Sequence, residues 1–312
     1  MTRLQWFHPL AVLLLIAAPG LEARAQKSMG KTVPPPTTEL TEDKEAPPPP
    51  ESSPLPLWRT LSGDGKPATL KFVRAGASSP SPMIVVQRGG LAITEGDMVV
   101  GPYDKVVSDF SRENAVRNPT LKWPKVNGKV TVPYRIDPSL STAARTALQA
   151  AIQEFTQKTC VAFVPQTNQA NYVKLFAGDG CYSYVGRIQQ GAQEASLGRG
   201  CEYKGTAVHE LMHAMGFYHE QSRPDRDQYI TINFQNVEQG LEDQFDVCQD
   251  CTTQDVPYEY DSIMHYGAEA FTKNGQPTMV PKQRGARIVE PYDKPGLTAL
   301  DVKKIHKLYA CP

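Results

Sequence analysis

The sequence lacks three features that would indicate particular classes of protein. Its 312 residues carry 33 Lys and Arg against 33 Asp and Glu, so it lacks the basic excess of a nucleic-acid-binding protein. It also lacks an apolar run of the roughly 20 residues that span a bilayer, and it has no cysteine before Cys160. We therefore expect no nucleic-acid partner and no stable membrane anchor. The length predicts one or two globular domains.

The first 25 residues have the composition of a secretory signal. Arg3 precedes an apolar run at 10–18, and the small-residue sequence Ala-Arg-Ala follows at 23–25. The alternative is an uncleaved anchor, but the run is too short to cross a bilayer. We expect cleavage and secretion, and an oxidising compartment favours disulfides among the six cysteines.

Composition divides the rest of the chain. Residues 26–57 hold nine of the 27 prolines and are predicted to be an extended linker. Residues 58–113 offer short strand-like runs and are too few to be stable without a neighbour. Residues 114–312 are predicted to form one domain. The runs in the second segment are 69–73, 83–87 and 98–100.

The large domain mixes strand and helix patterns. Apolar residues at helical spacing predict a helix over 141–158, a second helix covers 206–215, and Thr298 and Asp301 form a predicted capping box that opens a third. Four strands are predicted in the same domain, at 130–136, 160–164, 172–176 and 182–185.

The motif with the clearest chemistry is His209-Glu-Leu-Met-His213. Its two imidazoles lie at i and i+4 on one helix face, and Gly216 permits a turn that brings His219 back as a third nitrogen. The alternative interpretation is an exposed charged helix. Three imidazoles leave the fourth tetrahedral position of a zinc ion open for water, which is typical of a catalytic site. Glu210 is then the candidate general base for peptide hydrolysis.

A second motif, Ser-Ile-Met-His-Tyr at 262–266, completes a metzincin pattern. It predicts a tight turn that places Met264 beneath the metal as an apolar floor. Taken alone, Met264 is an ordinary core methionine and Tyr266 a buried hydroxyl. His265 is expected to pack or cap, and we assign it no role.

With both motifs, the chain resembles the astacin family of zinc metalloendopeptidases. The extended signature runs over 209–227, and the resemblance covers about Trp123 to Cys311. It implies an α+β fold in which two subdomains flank a cleft, with a twisted mixed sheet, an active-site helix and a C-terminal helix. It also implies one Zn²⁺, protein or peptide substrates, and a Tyr266 that ligates resting zinc and then hydrogen-bonds the oxyanion.

The resemblance further implies synthesis as a latent zymogen that an activating protease processes. Residues 58–113 would be the propeptide, in which Asp97 of Glu-Gly-Asp-Met at 95–98 binds zinc and displaces the catalytic water. Gly-Asp alone is a weak signal and also fits an ordinary turn. Maturation would expose an N-terminus near Asn114 whose ammonium is buried near Glu220. The alternative for Glu220 is a solvated surface charge.

Family pairing implies that Cys160 joins Cys311 and that Cys181 joins Cys201. Cys248 and Cys251 depart from that pattern. Their C-x-x-C spacing favours a local disulfide over a redox motif.

One specificity residue is suggested by position. Lys204 lies five residues before His209, and the resemblance places this region at the pocket for the residue after the scissile bond. The alternative is a solvated surface lysine.

Two functional classes remain besides a protease. They are a zinc protein that binds peptides without cutting them and a cell-wall or matrix binding module with vestigial zinc. Glu210 favours the protease, because neither alternative needs it.

Overall fold

The computed structural model describes residues 68–72, 81–88, 90–103, 121–249 and 251–312. The predicted signal at 1–25, the linker at 26–57 and the maturation point near Asn114 lie outside the described residues. Within the described ranges, no helix is both long enough and apolar enough to cross a membrane.

Twelve strands, three α-helices and several short 3-10 helices make up the regular structure of the described ranges. The strands are β1 (Ala68–Phe72), β2 (Ser81–Arg88), β3 (Leu91–Thr94), β4 (Met98–Pro102), β5 (Lys125–Val126), β6 (Lys129–Ile136), β7 (Val161–Pro165), β8 (Tyr172–Phe176), β9 (Cys181–Tyr184), β10 (Ala192–Leu197), β11 (Ile230–Ile232) and β12 (Met279–Pro281). The helices are α1 (Thr142–Lys158), α2 (Lys204–Ala214) and α3 (Ala299–Tyr309).

Ten strands form one mixed sheet in the order β1-β2-β3-β4-β9-β10-β8-β6-β5, with β7 paired to β6. Strand β10 is parallel to β8 and antiparallel to β9. Strands β11 and β12 form a separate antiparallel pair. This mixed sheet, with helices packed on it, confirms the predicted α+β class.

The segment before the large domain extends the same sheet. Strand β4 runs parallel to β9, with Met98 beside Ser183. Leu91, Ile93 and Val99 pack with the two tyrosines of β9 in a small second core. A segment this short buries only a modest fraction of its surface by itself and is marginally stable alone. The structure therefore agrees with the expectation that this segment relies on a neighbour.

Helix α1 begins where the sequence predicts. The Ser141 side chain accepts a hydrogen bond from the Ala144 amide at 3.1 Å, which satisfies one free N–H of the first turn. Leu148 and Phe155 follow at helical spacing and are fully buried. Each such side chain contributes about 1.5–3 kcal/mol by leaving water.

Helix α2 is buried along almost its whole length, and two glycines make its position possible. A Cβ at Gly205 would lie 1.9 Å from the Pro291 carbonyl oxygen, so only glycine allows the helix to pass this loop. Gly216 has φ +102°, which turns the chain back after the helix. The predicted helix began at Thr206, two residues late.

Three disulfides lie in the described part of the chain. Cys160 pairs with Cys311 and Cys181 with Cys201, the pairing that the resemblance implies. Cys248 pairs with Cys251 in a local loop. The first bridge ties the end of α1 to the end of α3 across 151 residues, a separation at which a cross-link removes much entropy from the unfolded chain.

Candidate metal centre

Three histidines and one aspartate meet in a buried cluster. Helix α2 supplies His209 and His213 from adjacent turns, and the segment after the Gly216 turn supplies His219. Asp97, from the turn before β4, points between them. One ligand atom from each of the four residues lies within 4.8 Å of the others, and all four side chains are buried.

The hydrogen bonds of two imidazoles decide which of their nitrogens are free. His209 Nδ1 lies 2.8 Å from the Ile263 carbonyl oxygen, and His213 Nδ1 lies 2.8 Å from that of Phe217. A carbonyl only accepts, so each Nδ1 carries the proton. The two Nε2 atoms are then unprotonated, and their lone pairs face each other at a distance of 3.0 Å. Such an arrangement is repulsive unless a cation lies between them, so the donor set fits a metal ion.

Asp97 supplies the fourth ligand atom. Its carboxylate oxygens lie 3.0 Å from His209 Nε2, 3.3 Å from His213 Nε2 and 3.1 Å from His219 Nε2. Its carboxylate therefore completes a set of four side chains that could hold a metal ion, and Asp97 lies where its Gly-Asp motif predicts.

Glu210 lies beside the cluster without belonging to it. It is fully buried, and among the described residues neither of its carboxylate oxygens has a hydrogen-bond partner. Burial, and then the negative charge of Asp97, raise its pKa well above the usual range. A buried carboxyl group with free oxygens and a raised pKa is suited to exchange protons with a substrate.

Tyr266 closes the other side of the cluster. Its ring centroid lies 4.4 Å from that of His219, and its hydroxyl donates to the Glu95 carbonyl oxygen at 2.7 Å. Burial raises the pKa of this phenol well above its usual range, so the hydroxyl remains a donor. In this structure its hydrogen bond goes to the segment that carries Asp97.

The turn at 262–266 is held from below by residues that the sequence analysis did not assign to the site. Asp301 accepts hydrogen bonds from the Ser262 hydroxyl at 2.6 Å and the Ile263 amide at 2.9 Å. The Lys294 ammonium donates to the Ser262 carbonyl at 2.8 Å. Met264, at the centre of the turn, is 1% exposed. The capping box signalled Asp301, but no pattern signalled its bonds to this turn.

His265 packs, as expected. Its Nδ1 donates to the Tyr266 carbonyl oxygen at 2.8 Å, and its Nε2 accepts from the Tyr258 hydroxyl at 2.7 Å. Burial, and then the nearby Lys294 ammonium, lower its pKa to about 3. This neutral imidazole is a structural link between the turn and the residues beneath it.

Glu220 is buried and fully engaged, which excludes a solvated surface charge. Its carboxylate oxygens accept from Lys304 at 2.6 Å, from Arg223 at 2.9 Å and from the Glu259 amide at 3.1 Å. A cavity adjoins it, lined in part by Gly216 and by residues 251–254. The N-terminal ammonium predicted to lie near Glu220 falls outside the described residues.

Lys204 is the first residue of α2. Its ammonium forms an ion pair with Glu154 at 2.7 Å and donates to the Pro295 carbonyl at 2.8 Å. Glu154 is 5% exposed and also accepts from the Leu297 amide. Lys204 therefore ties α1, α2 and the loop before α3 together, a role that sequence position did not indicate.

Comparison with known proteins places this site in a family. Residues 115–310 match the peptidase family described as Astacin. Zinc metalloproteinase nas-15 of Caenorhabditis elegans is 45% identical over 202 residues, which are 64% of this chain and 34% of that protein. Astacin-like metalloprotease toxin 1 of Loxosceles intermedia is 39% identical over 229 residues, 72% of this chain and 83% of the toxin.

A solved structure agrees with these matches. High choriolytic enzyme 1, a hatching enzyme zinc-protease from Oryzias latipes, aligns with a TM-score of 0.58 at 37% identity, over 62% of this chain and 96% of that one. This chain spans about a third of the length of nas-15. The family match covers well over half of the sequence and includes all three histidines of the cluster. The chain belongs to the astacin family.

Proposed function

We propose that this chain is a secreted, zinc-dependent endopeptidase that is made as a latent zymogen. The observation that carries the proposal is the set of converging imidazole lone pairs with a buried, unpartnered Glu210 beside them. His209, His213 and His219 would hold one Zn²⁺. When bound, zinc polarises the scissile carbonyl and lowers the pKa of water at the site.

Glu210 acts as the general base and then as the general acid. Its free carboxylate oxygens take a proton from the attacking water and deliver it to the leaving amine. Burial, and then the negative charge of Asp97, raise the pKa of Glu210, so removal of Asp97 takes away the second of these causes.

Tyr266 stabilises the oxyanion. Its hydroxyl is a donor at the edge of the cluster, and release of the Glu95 carbonyl frees it for the substrate oxygen. The same proposal includes the expectation, implied by the family resemblance, that Tyr266 ligates resting zinc. Met264 and Gly216 serve the site by shape alone, as the floor of the turn and the bend after α2.

Latency rests on the segment that carries Asp97. Its carboxylate takes the fourth ligand position, so water has no place there until the propeptide is removed. An activating protease would cut near residue 114, and the new ammonium would enter the cavity beside Glu220. The residues at 1–25 support secretion, and one relative bears the name of a toxin.

The test is Glu210→Ala in the processed chain, with a peptide library as substrate. We expect bound zinc at about one per chain by metal analysis and loss of nearly all cleavage, since the ligands remain and the base is gone. Glu238→Ala, which truncates an exposed carboxylate, is the control and should cleave like the unmodified chain. Cleavage by Glu210→Ala at the normal rate, or cleavage that a chelator does not stop, would refute the proposal.

A further inference from the structure

The outer nitrogens of the three histidines do not have equivalent partners. His209 and His213 donate from Nδ1 to the carbonyls of Ile263 and Phe217, which both belong to the family domain. His219 Nδ1 instead lies 2.9 Å from Oε2 of Glu95, in the segment that carries Asp97. The third ligand is thus the one whose outer partner would be lost with the propeptide.

Glu95 is held in place for this contact. The Ser222 hydroxyl donates to the same carboxylate oxygen at 2.6 Å. The Glu95 carbonyl accepts from Tyr266, and its backbone has φ +49°, a conformation that non-glycine residues rarely adopt. Glu95 is 8% exposed, and Ser222 and His219 are each 1% exposed. Surroundings that fix an uncommon backbone conformation usually serve a function.

We propose that Glu95 is a positioning residue for His219. Its carboxylate accepts the Nδ1 proton, which fixes the tautomer that leaves Nε2 bare and orients the ring toward the metal position. Ser222 orients that carboxylate in turn. In the unprocessed chain, Glu95 therefore increases the zinc affinity beyond the contribution of Asp97. Processing removes the contributions of Asp97 and Glu95 together. This inference rests on the proposed zinc site but not on catalysis.

The test measures zinc affinity in the full-length chain. Every variant carries Glu210→Ala, so the chain cannot cut itself, and the dissociation constant is measured by competition with a chromophoric chelator. Glu95→Ala should weaken zinc binding about 10- to 100-fold, the usual effect of losing the outer partner of a metal-bound histidine. Glu95→Gln keeps a neutral acceptor oxygen and should recover part of the loss. Glu238→Gln, at an exposed site, should change nothing.

Ser222→Ala tests the same contact without altering the strained backbone. It should weaken zinc binding by less than Glu95→Ala, and it should have no further effect in the Glu95→Ala chain, because both act through one carboxylate. Thermal unfolding of the metal-free variants separates affinity from folding. We expect the Ser222→Ala chain to melt close to the reference.

Three results would overturn the inference. The first is a zinc affinity of Glu95→Ala within twofold of the reference. The second is a loss that Glu95→Gln does not reduce, which would assign the effect to the loop backbone. The third is additive losses in the double variant. A reference chain that binds no zinc would instead refute the proposed function, so the two failures are distinguishable.

Discussion

Asp301→Ala should cost more stability than most single substitutions, because this carboxylate serves two elements at once. It is fully buried and accepts from the Ser262 hydroxyl, the Ile263 amide and the Thr298 amide at 2.6, 2.9 and 3.1 Å. Truncation leaves two buried donors of the turn without an acceptor, at about 1–3 kcal/mol each. It also removes the reciprocal half of the capping box, for about 1 kcal/mol more.

The expected loss is therefore about 3–5 kcal/mol in the free energy of unfolding, since the Ser262 hydroxyl can rotate but the Ile263 amide cannot. The assay is urea unfolding of the full-length chain with chelator present, followed by fluorescence. Asp137→Ala is the control, because that carboxylate accepts one amide, from Ser139, at the surface. The control should unfold at nearly the same urea concentration as the unmodified chain, because solvent screens the interactions of an exposed carboxylate.

The same substitution should also weaken zinc binding at the metal centre. Ile263 donates its amide to Asp301, and its carbonyl accepts the Nδ1 proton of His209. A displaced turn therefore misorients His209, and zinc should bind less tightly in any variant that still folds. A loss of under about 1 kcal/mol would refute this account of the turn.

Three further substitutions test the proposed mechanism. Asp97→Ala should give an unprocessed chain that cleaves a fluorogenic peptide, and a silent precursor would mean that the propeptide blocks the cleft by bulk. Tyr266→Phe should lower kcat on the order of a hundredfold with KM little changed, and an unchanged kcat would remove the hydroxyl from the mechanism. Lys204→Glu places a second carboxylate against Glu154 and should lower the urea midpoint. If its ammonium also reaches the substrate, preference for Asp or Glu after the cut should weaken in a peptide library.

Local signals in the sequence were enough to find all three α-helices of the described ranges and most of their strands. Helix α1 follows its capping serine and its apolar spacing, and α3 follows a capping box that is present in the structure. Helix α2 begins two residues before its predicted start, and its N-cap residue Tyr203 makes no side-chain hydrogen bond, so no capping residue marks that start in the sequence. The predicted strand at 172–176 coincides with β8.

Strand β10 could not be predicted from local pattern. Its sequence, Ala-Gln-Glu-Ala-Ser-Leu, has few of the β-branched or aromatic residues that favour strands. It is extended because it pairs with β8 on one side and with β9 on the other. Neither strand directly adjoins β10 in the sequence, so a local pattern does not indicate the pairing. Tertiary pairing overrides propensity in such a position.

The metal site also has one part that local sequence predicts and another that depends on tertiary structure. The histidines His209 and His213 can be predicted because they share one helix, where residues four apart in sequence are neighbours on the helix surface. Their outer partners, Ile263 and Phe217, are backbone carbonyls, which any residue type supplies. A motif specifies which atoms can touch a metal. The hydrogen bonds that orient those atoms depend on chain paths that leave no residue signature.

The contacts of Glu95 and Asp97, in the proposed propeptide, limit what a single substitution can release. Asp97 lies at the proposed fourth ligand position, while the Glu95 carboxylate contacts His219 and the Glu95 carbonyl accepts a hydrogen bond from Tyr266. If the proposed roles are correct, Asp97→Ala opens the ligand position but leaves the oxyanion donor engaged. Strand β4 also stays paired with β9. An Asp97→Ala precursor should therefore cleave peptides more slowly than the processed chain, because only removal of the segment breaks all of these contacts at once.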